Sequence, residues 1–262
     1  MIIDVHCHLG YDLVFDEVIT EEMLVGAFDA NKVDIGIVQP LIVEPTHEPQ
    51  RRIHDQVFAL TQEYPGRFYG MASLNPHCGQ EFYRAEMKRC MTELAFVGIK
   101  ISPIAHAVNP LSPDGRMAFD VSRELKVPIM IHTGAGIPFA LPALLLPLAK
   151  EYKDLPVVIA HSGQNIAAGE ALIVARECDN VFLDTSWTAP HICKVFVKVL
   201  GASKVMFASD MFDNQVVEVC KWRTLGINEA DLEWVLWKTT AQVYGIKPGA
   251  APKGLNAAKG VV

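Results

Sequence analysis

The sequence predicts a (β/α)8 TIM barrel, and three observations carry that reading. Eight short apolar runs alternate with helix-patterned segments at a period of about 30 residues, the signature of parallel strands joined by βαβ crossovers. Eight such units fill a chain of 262 residues, the length that a closed barrel needs. No Gly-x-Gly-x-x-Gly follows any of the runs, which disfavours the doubly wound open sheet, the competing architecture.

The elements follow in order. Met1-Ile2-Ile3 opens strand one, which reaches Asp4-Val5-His6-Cys7-His8. Residues two apart on a strand share a face, so His6 and His8 project together and Cys7 points away, toward the helices. A loop with Gly10, Tyr11 and Phe15 then leads to Thr20, an N-cap with Glu21 and Glu22 in the first turn of a helix ending near Asn31. Strand two is Val33–Val38, stopped by Pro40, and a helix over 49–64 ends at Pro65-Gly66. Strands three and four are Phe68–Ser73 and Phe96–Ile101, separated by a helix over 80–94.

A Pro- and Asn-rich loop precedes the helix over 114–126, and strand five is Val127–His132. The apolar run 137–148 carries three prolines and is too short to span a bilayer. Strand six is Pro156–His161, strand seven Val181–Asp184 and strand eight Val205–Asp210, with helices over 165–178 and 190–200 between them. Two helical segments, 215–225 and 229–244, complete the barrel domain over 1–245. Residues 246–262 are Gly-, Ala-, Pro- and Lys-rich and read as a flexible tail.

Composition bounds the partners. A net charge of −7 gives neither nucleic acid nor a membrane surface the basic stripe that it needs. Six cysteines without a Cys-x-x-Cys pair read as reduced thiols in a cytoplasmic protein, and no export signal is expected before strand one.

In a (β/α)8 barrel the chemistry collects at the C-terminal ends of the strands. Here those ends carry His6 and His8, Lys100, His132, His161 and Asp210, and strand eight closes beside strand one. A single histidine at such a place is as readily a satisfied core residue. The convergence of four on one barrel face, with a carboxylate, points to a metal site. Neutral imidazoles and one carboxylate suit Zn²⁺ first, with Mn²⁺ or Fe²⁺ as alternatives.

The motifs Ile3-Asp4-Val5-His6-Cys7-His8, Gly98-Ile99-Lys100, Ile131-His132-Thr133-Gly134, Ala160-His161-Ser162-Gly163 and Ala208-Ser209-Asp210 resemble the amidohydrolase superfamily. The likeness is to its amidohydrolase-related branch, which includes aminocarboxymuconate-semialdehyde decarboxylase-like enzymes, and covers residues 1 to about 245. The resemblance implies one divalent metal held by His6, His8, His132 and Asp210. His161, with Asp210, would orient or deprotonate a metal-bound water. Lys100 would bridge two metals as a carbamate in binuclear members, or bind an anionic substrate group in mononuclear ones. The mononuclear likeness makes it a substrate residue; by their places after strands four and seven, His106 and Trp187 join it as candidate substrate contacts, with Met211-Phe212 after strand eight as a further pocket wall.

Four functions are open to such a chain. The first is hydrolysis of an amide, ester or lactone carbonyl of a small molecule, and the second is non-oxidative decarboxylation of a small carboxylic acid at the same site. A TatD-type deoxyribonuclease would carry glutamate where Lys100 stands, and the intact ligand set argues against a non-catalytic scaffold. Barrels of this kind often self-associate, which leaves a homodimer open, although the sequence marks no interface.

Overall fold

The predicted barrel is present, and its eight staves follow the predicted order. The computed structural model describes residues 1–136 and 138–249. Its first strand, β1 (Ile3–Asp12), turns back on a short partner, β2 (Glu17–Ile19). The remaining staves are β3 (Ile35–Pro40), β4 (Phe68–Gly70) continued by β5 (Ala72–Ser73), β6 (Ile99–Ile101), β7 (Ile129–His132), β8 (Val157–Ala160), β9 (Val181–Asp184) and β10 (Val205–Met206). Parallel pairing runs β1–β3–β4 and β5–β6–β7–β8–β9–β10. The ring closes where Val5 N donates to Phe207 O (3.2 Å) and Asp210 N to His6 O (2.8 Å).

The helices lie outside: α1 (Glu21–Asn31), α2 (His47–Glu63), α3 (Gln80–Thr92), α4 (Pro113–Leu125), α5 (Leu145–Glu151), α6 (Ala168–Glu177), α7 (Pro190–Leu200), α8 (Gln215–Thr224), α9 (Glu229–Glu233) and α10 (Thr239–Tyr244). Thr20 caps α1 as predicted, its hydroxyl accepting from Met23 N. The segment 229–244, expected as one helix, passes through a π-turn at Trp234–Lys238 between α9 and α10. Among the described residues, no helix is long and apolar enough to cross a membrane.

Two apolar layers follow from the alternation of the strands. Ile3, Val5, Ile37, Met71, Met130, Val158 and Met206 fill the barrel, and Tyr244 and Ile246 close the cluster. Phe28, Phe68, Tyr83, Phe119, Phe196 and Trp222 pack between sheet and helices, each such burial contributing about 1.5–3 kcal/mol. Cys7 belongs to this outer layer, as expected. Ile246 is buried, so the barrel's packing extends past the boundary placed at 245, and residues 250–262 of the expected tail lie outside the described residues. So does Ile137, first residue of the proline-rich apolar run, whose later part forms a 3-10 turn at Pro142–Leu144 and α5.

Strand one departs from its predicted form in two ways. The register with β3 slips between Asp4 and Cys7, where three steps of β1 face two of β3. The extra residue lets Ile3 and Val5 fill the barrel below while His6 and His8 face its mouth above, with Cys7 outward. Asp4 holds this bulge, accepting from His6 N (3.3 Å), Ser209 N (3.0 Å), Ser209 Oγ (2.6 Å) and Gln215 Nε2 (3.0 Å). The strand then continues past His8 into a hairpin where a loop was expected. The Asp12 carboxylate forms its turn, accepting from Val14 N (2.7 Å) and Phe15 N (2.9 Å).

The outer layer also holds a charged cluster. His54 is fully buried on α2 and donates from Nδ1 to Glu86 Oε1 on α3 (2.9 Å). Its Nε2 accepts from Ser73 N (3.2 Å), fixing a strand end beside the barrel mouth. Arg51, half exposed, and Arg89 both donate to Glu86. Burial pushes the Glu86 carboxyl up, but the hydrogen bonds from His54, Arg89 and Arg51 outweigh it and hold the pKa at about 2, against an ordinary 4.5. A depressed folded-state pKa gives stability that is present above pH 4.5 and lost as pH falls toward 2. The loss is on the order of 3 kcal/mol. Urea unfolding between pH 5 and 2 should therefore show a steeper stability loss in the wild type than in Glu86→Gln. Parallel profiles would refute the assignment.

Candidate metal centre

Five side chains meet at the C-terminal mouth of the barrel, and hydrogen bonds fix which nitrogen of each imidazole faces inward. His6 donates from Nδ1 to Asp184 Oδ2 (2.6 Å), so its Nε2 presents a lone pair. His8 Nδ1 faces Pro40 O (3.3 Å), and a carbonyl can only accept, so His8 Nε2 is also a lone pair. The same logic applies to His132, whose Nε2 donates to Ala135 O (2.9 Å). His161 donates from Nδ1 to Ser186 Oγ (2.8 Å), and that hydroxyl donates onward to Asp184 Oδ1 (2.7 Å). Burial drives all three buried rings below the usual imidazole range: His132 to about 4, and His6 and His161 well below theirs, with Lys100 adding to the effect on His6 and His132.

Neutral rings with committed outer nitrogens leave lone pairs pointing at one another. His6 Nε2 and His8 Nε2 are 3.1 Å apart, and Asp210 Oδ1 lies 3.0 Å and 3.2 Å from them. Burial pushes the Asp210 carboxyl up, but His161, His6 and His8 outweigh it and hold it well below the carboxylate range. Donors bound at about 2.0–2.2 Å to one ion stand roughly 3.0–3.5 Å from each other. The triangle of His6, His8 and Asp210 fits a divalent cation. His132 falls outside this tight set, with its Nδ1 3.1 Å from His161 Nε2 in a second pair of facing lone pairs.

The backbone is bent to make this arrangement. His161, Trp187 and Asp210 have φ of 60°, 60° and 69°, a left-handed conformation that costs a non-glycine residue about 1–2 kcal/mol. Trp187, 44% exposed at the rim, donates from Nε1 to Asp210 Oδ2 (2.8 Å), leaving Oδ1 for the cluster. Glu218 pins its loop by accepting from Trp187 N (3.0 Å).

Lys100 is buried at the floor. Its Nζ donates to His6 Nε2 (2.8 Å) and approaches Met130 Sδ (3.9 Å), with no carboxylate in contact among the described residues. Burial lowers its pKa to about 8, opposed by Asp210 and Asp184. The cleft above is lined by Lys100, His8, His132, His161 and Asp210 on the polar side and by Phe15, Leu41, Ile42, Ala105 and Met211 on the apolar side. It encloses about 520 Å³, including space open to solvent.

The structure thus brings together His6, His8, Lys100, His132, His161 and Asp210 as expected, and sets Trp187 against Asp210. His106 lies beside the cleft, not on its wall. Ser102 N donates to its Nδ1 (3.2 Å), holding the ring beneath the loop, where burial lowers its pKa to about 3. Met211 lines the cleft, whereas Phe212 packs on the outer core. The sequence reading missed Asp184 and Ser186, although a carboxylate finishing strand seven obeys the rule that found the others.

The comparisons place the fold among known proteins. The profile of the family described as Amidohydrolase matches residues 3–246. No curated protein matches. Among solved structures, 5-carboxyvanillate decarboxylase from Sphingomonas paucimobilis is similar at 15% identity and TM-score 0.74, over 94% of this chain and 99% of that one. Dihydroxybenzoic acid decarboxylase from Polaromonas sp. JS666, solved with manganese and the inhibitor 2-nitroresorcinol, is similar at 17% identity and TM-score 0.76, over 93% and 96%. 4-Oxalomesaconate hydratase from Rhodopseudomonas palustris gives 17% identity and TM-score 0.68, over 94% and 96%. At these identities the likeness is one of fold.

If Asp184 fixes the donor face of His6, Asp184→Asn should weaken Mn²⁺ or Zn²⁺ binding by about 10- to 100-fold. Competition with a chromogenic chelator measures this directly. An unchanged affinity would remove Asp184 from the site.

Proposed function

We propose, from the premise that this chain belongs to the amidohydrolase family as its match over residues 3–246 shows, that it is a metal-dependent non-oxidative decarboxylase of a small carboxylic acid. The carrying observation is Lys100: a buried ammonium in the cleft floor, beside the converging donors, with no carboxylate in direct contact among the described residues. Such a group is suited to hold an anionic substrate. The solved decarboxylases of similar fold support the reading. Hydrolysis, ranked first from the sequence, becomes the second reading. It keeps its place because His161 Nε2 carries a lone pair at the mouth and could take a proton from water.

His6, His8 and Asp210 would hold the ion, with His132 completing the set. A bound divalent ion supplies positive charge where negative charge develops. Zn²⁺ and Mn²⁺ both suit the donors, and the manganese of the Polaromonas enzyme supports the second. Lys100 binds the substrate carboxylate and orients the bond to be broken. The apolar wall of Phe15, Leu41, Ile42 and Met211 excludes water from the substrate body. As CO₂ leaves, the carbon keeps the bonding pair and takes a proton from His161 Nε2. Ser186 and Asp184, accepting in series from Nδ1, stabilise the protonated ring that precedes this step. Solvent then returns the proton.

Protein purified without added metal should contain about one divalent ion per chain by elemental mass spectrometry, and should release CO₂ from hydroxylated aromatic acids. Lys100→Met should keep the metal while losing about 100-fold or more in CO₂ release, the effect of about 3 kcal/mol of charged hydrogen bonding. Two ions per chain would instead favour a carbamylated bridge and hydrolysis, and an undiminished rate in Lys100→Met would remove Lys100 as the substrate anchor.

A further inference from the structure

The β1–β2 hairpin brings one more charged group to the cleft. Glu17, first residue of β2, lines the cleft together with Lys100 and Asp210. Among the described residues its carboxylate has no hydrogen bond or ion pair. Asp12, on the same wall, differs: it accepts from Val14 N, Phe15 N and Ile42 N. Burial, then the charges of Asp12, Asp210 and Asp213, raise the Glu17 carboxyl above its ordinary value, while His8 lowers it. Glu17 therefore faces the site from within an acidic surround.

The charges of the lining decide what the far end of a substrate can be. Three carboxylates, Asp12, Glu17 and Asp210, face one lysine. A divalent ion in the cluster brings that lining to neutrality, and a bound carboxylate then leaves one negative charge in excess. A second carboxylate doubles the excess, whereas an ammonium removes it. The lining combines the buried Lys100 and the exposed Glu17 with apolar Phe15, Leu41, Ile42 and Met211, so a substrate body in the cleft meets apolar surface and two charges of opposite sign.

We propose that Glu17 is a specificity-determining residue: it receives an amine on the substrate whose carboxylate Lys100 holds. The site then selects an amino-substituted monocarboxylic acid with an apolar ring or chain and rejects dicarboxylic acids. This rests on the decarboxylase reading above, because it takes Lys100 as the carboxylate anchor. Glu17 is solvent-facing, so its pair with an amine is worth a surface ion pair and not a buried one. That is about three- to fivefold in affinity.

The test is isothermal titration calorimetry on the Mn²⁺-loaded protein with benzoate, an aminomethyl-substituted benzoate and a benzene dicarboxylate. Wild type should bind the aminomethyl acid about three- to fivefold more tightly than benzoate, and the dicarboxylate correspondingly more weakly. Glu17→Gln should bring the three affinities together, and Glu17→Lys should invert their order. If the wild-type ranking survives in both variants, or if wild type does not discriminate, the role of Glu17 is overturned while the decarboxylase reading stands. If none of the three acids binds to wild type, Lys100 is no carboxylate anchor, and both fall together.

Discussion

The bulge in the first strand is the constraint on which the site depends. A regular strand holding Ile3 and Val5 in the barrel would also turn residue 7 inward and His6 and His8 toward the helices. One extra residue between Asp4 and Cys7 reverses the facing at the level where packing gives way to the mouth. The bulge leaves an amide off the ladder, and Asp4 accepts it together with three donors from Ser209 and Gln215. The same carboxylate thus fixes the histidines of the first strand and the chain that leads into Asp210. Ring closure and donor placement are one structural event, which explains a fully buried aspartate whose pKa is pushed up to about 6 by burial.

The second constraint is hydrogen-bond directionality. A buried imidazole is a donor at one nitrogen and an acceptor at the other, and each ring here spends its donor outward on an acceptor of fixed type. Carboxylate, carbonyl and hydroxyl serve in turn: Asp184 for His6, Pro40 and Ala135 for His8 and His132, Ser186 for His161. Inward lone pairs facing one another at 3.1 Å are unfavourable unless a positive charge lies between or beside them. The strained turns at His161, Trp187 and Asp210 add to that cost. The stability of the surrounding barrel, with its two apolar layers, holds together a constellation that would not form alone.

What could be read from the sequence follows from how local each signal is. Strand ends are visible as the last residue of an apolar run, so His132, His161 and Asp210 were legible, and with them the barrel. His6 and His8 were placed on one face by a period-2 argument that is right for that pair and silent about the bulge below them. The hairpin over residues 11–18 was hidden because its turn is built by Asp12 accepting backbone amides, while exposed apolar residues blur the alternation. Glu17 was lost with it. The pair of His54 and Glu86 joins two helices across 32 positions, and each looks like an ordinary helix-surface residue by itself. Long-range polar pairing leaves no period to detect.

Lys100 ties the two constraints together. Its ammonium now gives a hydrogen bond to the inward nitrogen of His6, the same lone pair that a cation would use. One lone pair serves one partner, so the lysine and a metal ion compete for it. Within the proposed reading, binding at His6 would free the Lys100 ammonium, which among the described residues has no carboxylate in contact and a thioether as its other nearby acceptor. An ammonium released in a buried floor, with donor capacity unfilled, gains most from an anion entering the cleft. The geometry thereby makes the readiness of the substrate anchor depend on the state of the donor cluster, through a single hydrogen bond of 2.8 Å.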